Sequence, residues 1–579
     1  MKPLKTLAFS MVLCYNSIME TAPYITETER EIQALKALVA ELTAQNHELK
    51  ILLKHYEERL LLARMHRFGP SSEKTPGQLH FEGIFNEAEE QADSTLPEPT
   101  YEQVIYKRKK RVGKRGEDLS RLPKERVEYE LPEEERVCPE CGELMRDIGV
   151  TTRDELVIIP AKVIRKEHVV HAYACANCEK QSDHTPIVRA QAPAPLIGNS
   201  LATSSAVAHI AVQKYVNGVP LYRQEKGLSY DNVMLSRQTM ANWLIYCAEK
   251  FLAAIYFLLV RFLRMETVIH GDETTFQVLH EPGRAAQTKS FAWLYRTGRG
   301  SERHIVIFDY QETRKREHPL SFLKDFKGYL HADGYEVYHG LPPDITVVGC
   351  WYHARSYWRK LYDTIAADKR DGSIAERGLV YINLLFAYEE EYHDMTPAER
   401  YAKRLERSKP VSDDFFAWVG SLSALPKSLL GEAIHYALSQ RKYLENVYLD
   451  GRLELSNNRA ERSIRPFAQG RKQWLFANTP NGAKASAIFY SLIETAKAND
   501  LHPFHYLRHL LDTLPAMTTK DLESLLPWSE HLPDFCRAPK NATLDKPPRK
   551  TKEKAPLHKA LLLLREKFER HRETPESAP

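Results

Sequence analysis

Three things are scarce in this sequence: cysteine, unbroken apolar stretches and net charge. Eight cysteines among 579 residues are too few for a disulfide scaffold, which excludes the small secreted class held together by bridges. No stretch reaches the roughly 18 apolar residues of a membrane span. The longest, Phe251 to Val260, is closed by Lys250 and Arg261 and reads as a buried helix. Lys and Arg number 81 against 77 Asp and Glu, a net charge of +4, so any affinity for nucleic acid has to come from local patches. Glycine and proline are in no excess, which argues against collagen-like and low-complexity chains. What remains is a soluble, globular composition, 43% hydrophobic and 27% charged, in a chain too long for one ordinary domain.

Residues 1–28 read as an extension. Met1 to Lys5 and the apolar Thr6 to Cys14 imitate a short signal peptide, but the plainer expectation is a stretch upstream of a true start at Met19. From 29 to 68 a heptad pattern follows. Ile32, Val39, Asn46 and Leu53 fall at one seven-residue spacing, and Leu35, Leu42, Leu49 and Tyr56 at the other. β-Branched residues early at the first position, Leu at the second and a polar Asn46 in the seam fit a parallel two-stranded coiled coil, roughly 60 Å long at 1.5 Å per residue. The expected partner is a second copy, in a homodimer or higher oligomer. An amphipathic helix packed on its own domain would show the same pattern.

An acidic then basic linker occupies 69–130. It includes Lys107, Arg108, Lys109, Lys110 and Arg111, which fit an arm that tracks phosphates and, equally, a solvated charge run. Within 131–185, Cys138-Pro139-Glu140-Cys141 and Cys175-Ala176-Asn177-Cys178 form two knuckles. Their two-residue spacing lets both thiolates of each reach one ion, so the four sulfurs suit a tetrahedral structural Zn²⁺ in a zinc-ribbon-like module. Redox dithiols are the alternative. Residues 186–263 look helical. Leu221 to Gly227 reads as one helix, and Ser236 N-caps a second whose apolar face is Met240, Trp243, Leu244, Cys247 and Phe251. Arg237, Gln238 and Asn242 then lie on the polar side at its start, where a recognition helix meets DNA bases. Two ordinary core helices would look the same.

After Arg264 the pattern turns strand-like, at Thr267–Asp272, Ser290–Tyr295, His304–Phe308, Gly328–Asp333 and Ile345–Val348. Three strands, a crossover and a further strand fit the opening of a ribonuclease-H-like α/β sheet. Two of the runs end in an acid, Asp272 and Asp333, and alternation puts each acid on the same face as the histidine two residues before it, His270 and His331. Paired carboxylates at one sheet edge suit hard, oxygen-preferring Mg²⁺ (or Mn²⁺), and two such ions can serve the attacking and the leaving oxygen at phosphorus. That oxygen preference favours packing or supporting roles for the two histidines. A third acid has to come from downstream, where Asp450, Glu454 and Glu461 are the candidates. Asn458-x-x-Glu461 also resembles a capping box, in which the Glu only satisfies a helix start, and spacing alone does not choose. Arg465, Arg471 and Lys472, interleaved with Trp474 and Phe476, fit either a DNA-backbone contact or helix-end packing.

Taken together, Asp272-Glu273-Thr274, Asp333-Gly334-Tyr335, Gly349-Cys350-Trp351-Tyr352-His353, Asn457-Asn458-Arg459-Ala460-Glu461-Arg462 and Gly470-Arg471-Lys472-Gln473-Trp474 resemble the insertion-sequence-66 family of bacterial transposases. The likeness runs from about 29 to 535. It implies a multidomain α+β protein whose ribonuclease-H-like core is split into 264–349 and 446–500 by a helical insertion at 350–445, with a helical region at 501–535; beyond the likeness, 536–579 reads as a basic tail. It implies a DDE transposase with Asp272, Asp333 and Glu461 as the triad, acting on transposon ends and target DNA in the bacterial cytoplasm beside the nucleoid. Accessory proteins encoded by the same element are a further implied partner; a membrane is not. The Cys350/His353 pair belongs to the resemblance without a physical account of its role.

Overall fold

The structure is a computed structural model, and it describes residues 32–43, 45–46, 49–50, 53, 56, 162–174, 187–517, 519–539 and 561–568. Lys107 to Arg111 and the four knuckle cysteines Cys138, Cys141, Cys175 and Cys178 lie outside the described residues. The described heptad positions, Asn46 among them, are helical, and their apolar members Ile32, Leu35, Val39, Leu42, Leu49 and Leu53 are exposed. A short antiparallel hairpin pairs β1 (Ala172–Ala174) with β2 (Ile187–Arg189), Tyr173 opposite Val188.

Among the described residues, three helices lie between β2 and the main sheet. α1 (Ser204–Tyr215) begins at Thr203, whose hydroxyl accepts from the Ala206 N–H, and α2 (Leu221–Tyr230) follows Pro220. α3 runs through Arg237–Arg264 and contains one π-helical turn at Ala248–Leu252. Ser236 caps it as expected, accepting from the Thr239 N–H at 3.1 Å, and Met240, Trp243, Leu244 and Cys247 are buried. By length and composition this helix of 28 residues could cross a membrane, which corrects the reading that no stretch is long enough. The apolar run looked short because it was cut at Lys250 and Arg261, whereas the helix continues through both. Its apolar side, including Ile255, Leu259 and Leu263, lies in the protein core.

The sheet has the order β5–β4–β3–β6–β7. β3 (Val268–Val278), β4 (Lys289–Thr297) and β5 (Val306–Gln311) form an antiparallel meander, and β6 (Gly328–His331) and β7 (Ile345–Val348) add in parallel on the other side of β3. Between β5 and β6 lies α4 (Glu317–Phe322), and between β6 and β7 lies α5 (Glu336–His339). Gly328 opens β6 at φ +148°, where a Cβ would stand 2.4 Å from the Thr267 carbonyl oxygen. Only glycine lets β6 start that close to β3. β4 and β5 are covered on both faces, so burial runs unbroken through 292–295 and 306–308; Trp293, Tyr295, Ile307 and Phe308 are completely buried, each worth about 1.5–3 kcal/mol of apolar transfer.

β3 does not end at Asp272 as the sequence reading had it; it continues six residues further, to Val278. The polar Glu273-Thr274-Thr275 hid this, since those residues are only half-buried. Beyond β7 comes a helical body with a core of its own: α6 (Trp351–Thr364), α7 (Ile374–Glu391), α8 (Pro397–Lys403), α9 (Lys409–Gly420) and α10 (Leu429–Glu445), with a π-helical turn at Arg404–Ser408 between α8 and α9. The chain then returns to the sheet through α11 (Asn458–Trp474), β8 (Phe476–Ala477), which pairs with the far end of β3, and α12 (Pro480–Ala498). α13 (Pro503–Thr513) closes the core. Residues 561–568 form a helix docked on the helical body, with Leu561 in its core and Lys567 paired with Asp414 at 3.2 Å.

Candidate active site

The site grows from a gap in the sheet. On one edge of β3, pairing to β6 stops at His270 and pairing to β8 starts at Gln277. The backbone between needs other partners, and the α11 region supplies them. Asn457 Nδ2 donates to the Gly271 carbonyl at 2.8 Å, and Arg471 donates to the Thr275 carbonyl and, at 2.8 Å, to Thr274 Oγ1. Arg471, a candidate DNA contact, is therefore committed to β3. Arg237, Gln238, Asn242 and Lys472 are exposed, and Arg465 is half-buried on α11.

Asp272 lies in this stretch of β3, between the pairings to β6 and β8. Register pairs His270 with His331, so the alternation that carries β3 on to Asp272 carries the other chain on to Asp333, two residues past β6. Asp333 Oδ1 accepts the Tyr335 N–H at 3.1 Å, which shapes the loop behind it. Glu461 lies in the first turn of α11, with a side chain 10% exposed. Burial holds the Asp272 carboxyl well above the usual carboxylate range, and the charges of Glu273, Asp333 and Glu461 add to that. Glu461 is also raised, by burial and by Asp333, with His353 offsetting part of the effect. The three acids thus share one charge field.

The other downstream acids are engaged elsewhere. Asp450 pairs with Arg452 at 2.7 Å. Glu454 lies 3.0 Å from His270 Nε2 and 2.9 Å from Arg459 Nε; despite its burial, His270 and Arg459 hold it well below the ordinary range. Nor is Glu461 a capping residue. The helix cap is Asn457, one residue earlier than a capping box with Glu461 requires, and it makes no side-chain cap bond. The Glu461 backbone N–H simply begins the helical ladder, to the Asn457 carbonyl at 3.2 Å, and Oε1 has no hydrogen-bond partner.

His270 and His331 are fully buried and stack on each other, with ring centroids 4.3 Å apart. His270 Nδ1 meets Asn457 Oδ1 at 2.9 Å, and His331 Nε2 accepts the Glu454 N–H at 3.2 Å. Burial and the neighbouring His270 depress His331 strongly. Both rings tie the two acid-bearing strands to the segment that leads into α11.

Three further residues escaped the sequence reading. Glu273, beside Asp272, is held by Arg314 Nε at 2.9 Å and by the Tyr338 hydroxyl at 2.6 Å. Burial and Asp333 raise it, and Arg314 opposes them. The Arg314 guanidinium also lies over the Tyr335 ring, 3.5 Å from its centroid, so one arginine braces both acid-bearing segments. Asn457 was visible only as part of a motif. Its adjacency to a helix start was the available signal, but its partners on β3 were not readable from the sequence. Cys350, fully buried, accepts the Asn457 N–H at 3.2 Å. His353 Nδ1 stands 3.7 Å from Glu461 Oε1. Burial alone would depress His353, but Cys350, Glu461 and Asp333 raise it to about 10.

Four family models match the chain: "Transposase IS66 family" over residues 199–485, "IS66 C-terminal element" over 491–528, "zinc-finger binding domain of transposase IS66" over 135–179 and "Transposase C of IS166 homeodomain" over 55–127. The uncharacterized protein y4qI of Sinorhizobium fredii is 33% identical over 359 residues, covering 59% of this chain and 65% of its own length. The uncharacterized protein y4jD of the same organism is 30% identical over 427 residues, 70% of this chain and 81% of its own. Among solved structures, a chain of the Drosophila P element transposase strand transfer complex aligns at 11% identity and a TM-score of 0.31, covering 51% of this chain and 92% of that one. The family matches follow one another along the sequence and take in both the sheet and the knuckles, and the chain belongs to the IS66 family of transposases.

Proposed function

We propose that this chain is a DDE-type DNA transposase that cleaves the phosphodiester at a transposon end and joins the freed 3′-hydroxyl to target DNA. The observation that supports this best is the shared charge field of Asp272, Asp333 and Glu461, brought together from β3, the loop after β6 and α11. The sheet order, an antiparallel meander followed by two parallel strands, supports a ribonuclease-H-like reading of the core.

The donor set fits a hard divalent cation. It is all oxygen, and it repels itself when ionised. Asp272, Asp333 and Glu461 would hold Mg²⁺ or Mn²⁺, and the bound ion supplies Lewis-acid polarisation and a nucleophilic oxygen at neutral pH. Glu273 stays a bracing group because Arg314 and Tyr338 occupy it. Arg462 and Arg465, whose charges reach Glu461, bring positive potential to where a phosphate would lie. In the first step a water oxygen bonds to phosphorus and the transposon 3′-oxygen leaves as hydroxyl. In the second, that hydroxyl attacks a target phosphodiester and displaces the target's 3′-oxygen. Arg237, Gln238 and Asn242 on the exposed start of α3 are offered to DNA bases, the four knuckle cysteines to a structural Zn²⁺, and the exposed heptad face to a second copy.

The test is Asp272→Asn in purified protein of parental thermal stability or above, given a duplex of the element's terminal DNA, Mg²⁺ and a plasmid target. Removing a metal-holding carboxylate forfeits several kcal/mol of transition-state stabilisation, roughly a thousandfold or more in rate. Cleavage and joining at the parental rate would refute the assignment.

A further inference from the structure

We infer that Cys350, His353 and Glu461 form a second metal site, one that takes a zinc-class divalent ion. Cys350 caps α6 and His353 follows in its first turn, so Cys-x-x-His presents sulfur and imidazole toward the same side. Glu461 meets them from the first turn of α11. One ligand atom from each residue lies within 4.8 Å of the others.

Two details separate this arrangement from an ordinary polar contact. First, His353 Nδ1 and Glu461 Oε1 are sealed from solvent and neither has a hydrogen-bond partner, a costly state for two buried polar atoms. Second, they stand 3.7 Å apart. That is too far for a hydrogen bond. It is close to the spacing of two ligands on one tetrahedral ion, roughly 3.4 Å when each bond is about 2.0–2.2 Å. The Cys350 sulfur already accepts the Asn457 N–H at 3.2 Å, the kind of outer contact that orients a ligating group. A sulfur, nitrogen and oxygen set selects zinc over magnesium. The ion would tie α6 to α11 and fix the inner oxygen of Glu461, leaving the other for the carboxylate set. This site goes beyond the proposed DNA chemistry: it shares Glu461 with the carboxylate set and adds a sulfur and a nitrogen of its own.

The test is metal content of the full-length protein after dialysis into metal-free buffer, measured for zinc by mass spectrometry. The parent should carry two zinc ions per chain, one at the knuckles and one here. Cys350→Ser and His353→Gln should each lose one, and Cys138→Ser should lose the other. Reconstitution with Co²⁺ should give a sulfur-to-cobalt absorption that weakens in Cys350→Ser. His353→Gln keeps the buried sulfur in place and so serves if Cys350→Ser does not fold. A full parental count in His353→Gln at parental melting temperature, or a parent whose zinc is lost entirely in Cys138→Ser, overturns the site and leaves the trio as an ionic bridge. Asp272→Asn should retain both ions, so failure of the DNA-cleavage reading and failure of this site give separate results.

Discussion

Arg404 sits in the helical body, yet the candidate site depends on it. The side chain is 1% exposed and makes five hydrogen bonds. Two go to the Glu389 carboxylate, at 2.6 and 2.7 Å, and three go to the carbonyls of Val447, Asp450 and Leu453. Those carbonyls belong to the segment that leads the chain back to the sheet, just before Glu454, Asn457 and Glu461. Replacing Arg404 by Met keeps the bulk but leaves the partly buried Glu389 carboxylate without its partner, at up to about 3–5 kcal/mol, the cost for one member of a buried pair. The orphaned carbonyls add to this at about 1–3 kcal/mol each wherever water cannot enter, although such costs do not sum fully. The expected result for Arg404→Met is a loss of at least about 3 kcal/mol in urea denaturation of the helical body, together with impaired cleavage. Arg404→Lys keeps the charge but not the planar fork, so it should fall between the two. A denaturation midpoint for Arg404→Met equal to the parent's would refute the reasoning that this guanidinium holds the return segment.

Two other predictions follow from the carboxylates and their bracing. Asp272, Glu273 and Glu461 all have folded pKa values raised above their ordinary ones. Groups raised in this way favour the folded state below the unfolded range, about pH 4, and that contribution is lost as pH rises through the raised values. In EDTA, Asp272→Asn should therefore raise the melting temperature at pH 7 to 8 and have little effect near pH 4, while Mg²⁺ should stabilise the parent more than the variant. An equal loss of stability at both pH values would sink that account. Asn457→Ala removes the partner of the Gly271 carbonyl and of His270 Nδ1, two buried groups at about 1–3 kcal/mol each. Its urea midpoint should fall accordingly, and a change within about 0.5 kcal/mol, the level of a bland surface substitution, would argue against the bridging role.

Much of the local structure was legible. The Ser236 cap, the buried face from Met240 to Cys247 and the strands around Asp272 and Asp333 follow from side-chain chemistry and short periodicities, which act between neighbours in the chain. The same local logic misjudged two lengths. β3 runs on to Val278 because its polar half faces a site rather than solvent, and α3 runs unbroken through Lys250 because a long side chain can reach water from the rim of a core. Docking of the 561–568 helix was not legible at all, since its partners Glu391 and Asp414 lie more than 150 residues away.

The sequence by itself determined the acids, their order, the histidines ahead of the first two and the heptad and knuckle spacings. Tertiary structure decided which downstream acid enters the field of Asp272. Asp450, Glu454 and Glu461 lie within twelve residues of one another, and any of them satisfies a spacing argument. Packing separates them: Arg452 takes the first, His270 and Arg459 take the second, and α11 turns the third toward Asp272. A carboxylate's role is set by which charges surround it: Arg452 is a near neighbour of Asp450, but His270 beside Glu454 and the acids beside Glu461 come from segments more than a hundred residues away.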